Sequence, residues 1–582
     1  MHNKFIEFFG YGQQKFELNV LEFKLLESDP VYTLLKVLEQ LDFTQLFEKY
    51  SHFGRKGYNP IMMYAVIVYA NMRGVRAIDR IVDLCTRDLG FITLTKGDTP
   101  SRTTFFNFLN DKLAKEILDD LHYQFILVLQ KEGLVSLEAL YIDGTKIEAN
   151  ANRYSFVWRG SVNYHLANLL DRIERVYSDY NFIIESNGYD EKYMLSNKKM
   201  YVIEGMDKVN EIIKKNRENK RNNKKKVSNN TILEIDNCSP IDMLELQRSI
   251  KLICDGEEVY FVSGKGQRKS ELQHLYEELE LLGSQLMKYK NHFEIMGKDR
   301  NSYSKTDIEA TFMRLKSDHM KNGQLKPAYN VQIAVENYFV IHVYVSNDRT
   351  DYNALIPVAE KHKEHFVIDL REITADSGYC SQKNLTYLRD NNIKSYIKLQ
   401  THEKMKKKAY KEDIGKHYNM KKVVNENEIY YICHAGKKLS HTKTEKSMRN
   451  GFLQEFHVYK CDNCTACPHK EKCLWKYDPE KDYEKNKVMK VNEIWEKLKL
   501  ESHTNILSER GILNRQIRSI QTEGYFGNIK ANEDFTSFNH RSEEKVYKEF
   551  LLNAVGKNIM KYHKFITGKL KEFTGKSESL AA

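Results

Sequence analysis

Of 582 residues, 41% are hydrophobic and 29% charged, which excludes wholesale disorder and leaves apolar side chain for several cores, about four units at about 150 residues each. Mean hydropathy is −0.61, no run of about 20 apolar residues exists to span a bilayer, and MHNKFIEFFGYGQQKFELN lacks the apolar stretch and cleavage site of a secretory signal, so a soluble, cytoplasmic chain is expected. Net charge is a mild +11, from 91 Lys and Arg against 80 Asp and Glu, so where the charge gathers matters more than its sum.

Residues 1–133 read as helix almost throughout. Asn59-Pro60 forms an N-cap and first-turn pair, followed at helical spacing by Ile61, Ala65, Val68, Tyr69 and Met72 before Gly74. A second helix fits Val75 to Arg87, with Ile78, Ile81, Val82 and Cys85 on one side and Gly90 beyond it. Thr99-Pro100 starts a third. Three short helices suggest a helix-turn-helix module whose last helix displays Arg102, Thr103, Thr104 and Asn107, side chains that reach phosphates and base edges. A small helical domain that binds no DNA would carry the same pattern.

From 134 the period changes. Leu137 to Ile142 reads as an apolar strand ending at Asp143, with a Gly-Thr turn and a second extended piece to 158. Residues 159–299 return to helix. NYHLANLLDRIERVYSDY has helical spacing, and Leu272, Leu275, Leu279, Leu282, Leu286, Tyr289 and Phe293 form a heptad seam. Two arms of an antiparallel helical hairpin are expected. Between them KKNRENKRNNKKK, Lys214 to Lys226, has eight basic residues and one acid, which reads either as a solvated mobile tip or as a non-specific phosphate contact.

Over 300–400, two strands, Tyr329–Val335 and Phe339–Val345, turn at Glu336-Asn337. A helix (TDYNALIPVAEKHKEHF), a strand finishing at Asp376, a helix (SQKNLTYLRDNN) and a strand (KSYIKL) follow. Residues 401–490 are Lys-rich, with eight Lys against three acids over 401–422, and show little periodicity. Residues 491–566 are helical, and 567–582 form a flexible tail. Trp158, Trp475 and Trp495 are expected to be buried, although each has a ring that stacks on a base.

Nine cysteines in this length are no disulfide scaffold. Cys85, Cys238, Cys254 and Cys380 are scattered, whereas Cys433, Cys461, Cys464, Cys467 and Cys473 gather in one segment. Structural zinc needs four ligands in a tetrahedron, and Cys-x2-Cys is the usual knuckle. Cys433, Cys464, Cys467 and Cys473 make the preferred set, with Cys461 as alternative and His434 and His469 as further candidates. A reduced or redox-labile cluster without metal is the other reading. Zinc is favoured because a segment poor in apolar periodicity needs another source of order.

Asp143 and Asp376 each close an apolar run and are followed within two residues by Gly, where a strand gives way to a loop. Carboxylates past strand ends converge in α/β sheets although these two are 233 residues apart in sequence. Glu523 lies on a helix with Lys530 two turns on. Three oxygen ligands from separate elements suit two hard divalent ions arranged for in-line displacement at phosphorus. Asp-Gly is also a common strand-ending turn, and spacing alone does not decide between the two.

Four ordered blocks decide more: YIDGTKIEANAN, DIEATFMRLKSDHMKNGQLKPAYNVQIAVEN, ITADSGYCSQKNL and RSIQTEGYFGNIK. In this order they resemble DDE transposases of bacterial insertion sequences, within them the long subgroup with a helical N-terminal domain and a cysteine-bearing insertion. The resemblance covers residues 40–400 and 490–565. It implies an α/β fold with a ribonuclease-H-like mixed-sheet core from 134–158, 300–400 and 491–566, a DNA-binding domain over 1–133, and insertions at 159–299 and 401–490. Asp143, Asp376 and Glu523 would be the catalytic residues, holding two Mg²⁺ ions for which Mn²⁺ substitutes. The implied activity is cleavage at terminal inverted repeats and joining of a 3′-hydroxyl to target DNA, by a homodimer on DNA and with no covalent protein–DNA intermediate. Related families carry Tyr-x2-Arg-x3-Glu-x6-Lys around the glutamate. Glu523 and Lys530 fit; Gln516 and Ser519 stand where the Tyr and Arg would be, with Arg518 one residue off. Either Arg518 or Lys530 suits a phosphate contact. A catalytically inactive DNA-binding descendant and a nuclease of the same fold are the alternatives.

Overall fold

The computed structural model describes residues 25–50, 57–195, 203–233, 240–315, 323–425, 428–449 and 451–569. Cys238, the N-terminal stretch through residue 24 and the tail from 570 lie outside the described residues. No helix among those described is long and apolar enough to cross a membrane.

Asn59 caps the helix Pro60–Met72, its side chain accepting from Ile61 N at 2.8 Å. Buried side chains run through this helix from Met63 to Met72 with no polar face, so it must be surrounded. Its partner is the C-terminal helix Glu543–Ile566, and Gly556 is where the two backbones meet: a Cβ there would lie 2.7 Å from Met72 N. The second helix begins at Ile78, later than the sequence suggests, and ends at Arg87. Gly90 does not stop the helical run. Asp88 caps a further helix, Leu89–Thr95, and Gly90 serves close packing, since its Cβ would fall 2.5 Å from Tyr69 Oη.

The central sheet is mixed. Ala139–Glu148 (β1), Leu325–Glu336 (β2), Phe339–Ser346 (β3), Glu372–Ala375 (β4) and Lys394–Ile397 (β5) stand in the order β3-β2-β1-β4-β5, with Thr311–Arg314 also on the outer edge of β2. β1 and β2 are antiparallel, as are β2 and β3, whereas β1, β4 and β5 run parallel. Asn337 and Tyr338, both at positive φ, make the tight β2–β3 turn. The open edge of β3 is closed by the C-terminal helix: Asn558 accepts from Val340 N and donates to Val340 O, both at 2.8 Å. β1 runs on through Asp143-Gly144 rather than ending there. Gly144 is in mid-strand because Gln332 of β2 lies against it, its amide 2.3 Å from where a Cβ would be. One hydrophobic core joins this sheet to the N-terminal helices and to the C-terminal helix.

The first insertion differs from a two-armed hairpin. Arg159–Ser186 and Glu271–Met296 are the expected arms, but Met206–Arg221 and Pro240–Gly256 pack with them around a separate core of Leu166, Ile173, Tyr180, Ile250, Leu279 and Leu282. The basic run therefore starts inside a helix, and all eight of its cationic side chains are exposed. The segment from 421 to 491 is a five-stranded antiparallel sheet that the sequence pattern hides. In its long hairpin Lys438–Arg449 is largely exposed and Phe452–Cys461 mostly half-buried, so neither strand shows a clean apolar alternation.

Candidate active site

β1 and β4 pair in parallel as far as Tyr141 opposite Thr374, and Asp143 and Asp376, each two residues further on, line one pocket. Asp143 Oδ1 accepts from Gly144 N at 2.9 Å, and its Oδ2 receives the Thr522 hydroxyl and Arg518 Nη1, each at 3.1 Å. Burial pushes the Asp143 carboxyl up from the ordinary range, and Asp376 adds to this, while Arg518, the Gly144 N–H and Thr522 pull it back. Asp376 caps the turn Ser377–Tyr379 by accepting from Gly378 N at 2.7 Å.

Glu523 is linked to Asp143 through Arg518, whose Nη2 is 3.4 Å from Glu523 Oε1, and it does not line the pocket that Asp143 shares with Asp376. The glutamate itself is 60% exposed. The helix Glu509–Arg518 continues through wide turns at Ser519–Glu523 and Asn528–Asn532, so Gly524 and Gly527 do not break it. Such turns recur at functional sites. Lys530 Nζ donates to Thr145 Oγ1 at 2.6 Å and to Lys146 O at 3.2 Å, which brings it to the pocket of Asp143 and Asp376.

Sequence reasoning missed a third aspartate in that pocket. Asp351, five residues past β3, accepts from Asn330 Nδ2 and Gln332 Nε2, both at 2.8 Å. A Cβ at Gly378 would lie 2.9 Å from Asp376 Oδ1 and 3.0 Å from Asp351 Oδ2, so both carboxylates close over this glycine. The signal that picked out Asp376, a carboxylate closing an apolar run with Gly within two residues, does not reach Asp351, which stands five residues past its strand and is followed by Tyr352 and Asn353.

Among the described residues, no three His, Cys, Asp or Glu side chains stand close enough together to hold a metal ion. At Asp143 the cause is visible: Arg518 lies between it and Glu523. Cys433, Cys461, Cys464, Cys467 and Cys473 line one cavity with His434 and His469. Burial raises the Cys473 thiol, and the neighbouring Cys433, Cys464 and Cys467 add to it, whereas Lys487 lowers it. Cys461, buried and hydrogen-bonded towards Cys464, is pushed up to about 12, chiefly by burial. Gly436 at positive φ donates its N–H to Cys433 O at 2.9 Å, closing a tight loop there. Cys85, Cys254 and Cys380 are buried and free.

The helix Arg102–Asn107 is capped by Ser101 and widens at once into Phe108–Lys112. Arg102 pairs with Asp79 at 3.1 Å, an exposed bridge that is weak enough to exchange for a phosphate. Thr103 and Asn107 are exposed, and Thr104 sits against Ser101 with its Oγ1 3.0 Å from Ser101 Oγ. Trp158 and Trp495 are partly buried, but Trp475 is 81% exposed, contrary to the expected burial.

The family model described as a transposase DDE domain matches residues 432–563, a stretch that includes the cysteine cluster, Arg518, Glu523 and Lys530 and leaves Asp143 and Asp376 outside. A second, described as a transposase domain (DUF772), matches residues 19–111, through the helix Arg102–Asn107. Compared with curated proteins and with solved structures, the chain matches none. Matches to two transposase domains, one towards each end of a single polypeptide, indicate a DDE transposase of insertion-sequence type.

Proposed function

We propose that this transposase binds the terminal inverted repeats of its insertion sequence and, using divalent metal ions, cleaves DNA and transfers the strand at a centre built on Asp143, Asp376 and Glu523. The observation that carries the reading is the pocket that Asp143 and Asp376 share just beyond the parallel pairing of β1 with β4. The β3-β2-β1-β4-β5 order, with two antiparallel and two parallel pairings about β1, supports a ribonuclease-H-like core.

Transposases of the DDE family generally use divalent metal ions, and an all-oxygen donor set suits Mg²⁺, or Mn²⁺ in its place, because such an ion keeps waters and needs only one or two carboxylates. When bound, two such ions supply an activated attacking oxygen and neutralise charge on the phosphate. The chain's own groups do the positioning. Gly144 N–H and Thr522 orient Asp143, and Gly378 N–H orients Asp376. Lys530, anchored on Thr145, presents a cation at the pocket for a DNA phosphate. The exposed cations from Lys214 to Lys226, together with Arg102, Thr103, Thr104 and Asn107, supply further contacts to the duplex, bound by a homodimer at the nucleoid in the cytoplasm. Thiols of Cys433, Cys464, Cys467 and Cys473, with Cys461 as the alternative, have the donor chemistry of a structural Zn²⁺ site and line one cavity, and would have to draw closer together to hold the ion.

Incubating the purified chain with Mg²⁺ and a plasmid bearing the element's flanking inverted repeats tests the proposal. Joined products are expected. Cleavage without joining would mark a nuclease of the same fold, and retarded but intact DNA a binding protein without catalysis; either result overturns the proposal.

A further inference from the structure

Arg518 and Glu523 are five residues apart, which on a regular helix of 3.6 residues per turn sets side chains about 140° from each other. The wide turn Ser519–Glu523 cancels most of that angle and sets them side by side, with Nη2 3.4 Å from Glu523 Oε1. Nη1 of the same guanidinium is 3.1 Å from Asp143 Oδ2, and the side chain is only 14% exposed. Thr522 adds its hydroxyl to the same Asp143 oxygen at 3.1 Å. One planar cation thus neutralises two carboxylates that come from different elements, in a place where an uncompensated charge is costly.

A divalent ion drawn to the same carboxylates brings positive charge into the space that the guanidinium fills, and two cations there repel. We infer that Arg518, bridging Asp143 and Glu523, is a positioning residue whose charge competes with a divalent ion for these carboxylates and gives way when such an ion binds. The displaced guanidinium is then released to make paired hydrogen bonds to a DNA phosphate. Metal occupancy and DNA engagement are coupled through one side chain. The inference rests on the reading of Asp143 and Glu523 as metal-holding residues.

Mn²⁺ binding to the full chain without DNA, followed by the paramagnetic resonance of the unbound ion, tests it. R518Q is expected to bind Mn²⁺ about tenfold more tightly than wild type, within the 5- to 150-fold range usual for coupled sites. R518K, which keeps the charge, is expected to stay near wild type, and D143N to lose the site in either background. Mn²⁺ should also raise the melting temperature of R518Q more than that of wild type. R518M, which keeps the aliphatic stem packed, is the second neutral replacement should R518Q fold poorly. Asp143-dependent binding of equal or lower affinity in the folded neutral variants overturns the inference and leaves the active-centre reading standing. Mn²⁺ binding indifferent to Asp143 in every variant overturns that reading, and the inference with it.

Discussion

Asp143 is half-buried and held by three donors, from Gly144, Thr522 and Arg518, so changing its charge leaves its neighbours in place while removing the group that attracts a cation. D143N, D376N and E523Q are each expected to cut cleavage and joining by more than about 100-fold, beyond what outer-shell partners of a metal contribute, with binding to the inverted repeats kept. Gel retardation beside a strand-transfer assay checks this, and normal cutting by any one variant removes that residue from the centre. These three carboxylates were legible because each lies in a block whose order resembles one family. Asp351 was not, because nothing in DRTDYN shows that Asn330 and Gln332 of β2 turn its carboxylate towards the same pocket. Gly144 misled for a related reason: a glycine after an aspartate reads as a turn, and only the neighbouring strand reveals that it makes room for Gln332.

Among elements, the seam between the N-terminal helices and the sheet holds a buried histidine relay. Tyr123 Oη is 2.9 Å from His342 Nδ1, His342 Nε2 is 2.8 Å from His362 Nδ1, and His362 Nε2 is 2.9 Å from Leu137 O. His122 Nε2 lies 3.0 Å from Ile341 O. Burial lowers His122 and His362 to about 4 and takes His342 well down. An unfolded histidine titrates near 6.5, so between about 6.5 and 4 the unfolded chain binds protons that the folded chain refuses. Stability is therefore fully present above this window and is lost as pH falls through it, by on the order of a few kcal/mol. Urea unfolding midpoints measured from pH 7.5 down to 4.5 should fall, and midpoints that do not move would contradict the assignment.

The helix pair Pro60–Met72 and Glu543–Ile566 meets at Gly556, where G556A is expected to cost about 1–3 kcal/mol and lower the melting temperature. An unchanged melt would show that the helices give way. Long amphipathic helices were readable from their period and the β2–β3 hairpin, buried on both faces, from its apolar runs. The sheet over 421–491 was not, since its exposed and half-buried strands carry no period, and the same lack of a large core is the reason to look for zinc. One zinc per purified chain is expected by mass spectrometry, falling to near zero in a C464S/C467S double variant whose sheet melts early; a zinc-free, equally stable wild type would contradict it.

At the scale of the molecule, one core runs from Val31 to Tyr562 through both transposase-matching segments and the central sheet, whereas the first insertion keeps a core of its own. Its neck is narrow: Phe156–Trp158 pairs with Ser302–Ser304, and Arg159 reaches across to the carbonyls of Gly297 and Arg300. Deleting 159–299 and closing the gap with a short glycine turn is expected to leave a cooperatively folding protein, checked by calorimetry; an aggregated product would mean that the insertion is part of the main core. The order of the blocks in sequence made the interruption visible. Of the two inner helices, Met206–Arg221 lay in a stretch too polar to announce itself, whereas Pro240–Gly256 carries Met243, Leu246, Ile250 and Ile253 at helical spacing and was overlooked.

The chemistry rests on the proposed divalent ion beside Asp143 in the middle of β1 and Asp376 just past the end of β4. Fe²⁺ put in place of Mg²⁺, with ascorbate and peroxide, cuts the polypeptide within a few ångströms of the ion, and the fragments report where it sits. Cuts close to residues 143, 376 and 523, suppressed by excess Mg²⁺ and lost in D143N, are the predicted result. Cuts confined to other segments, or the same cuts in D143N, would contradict it.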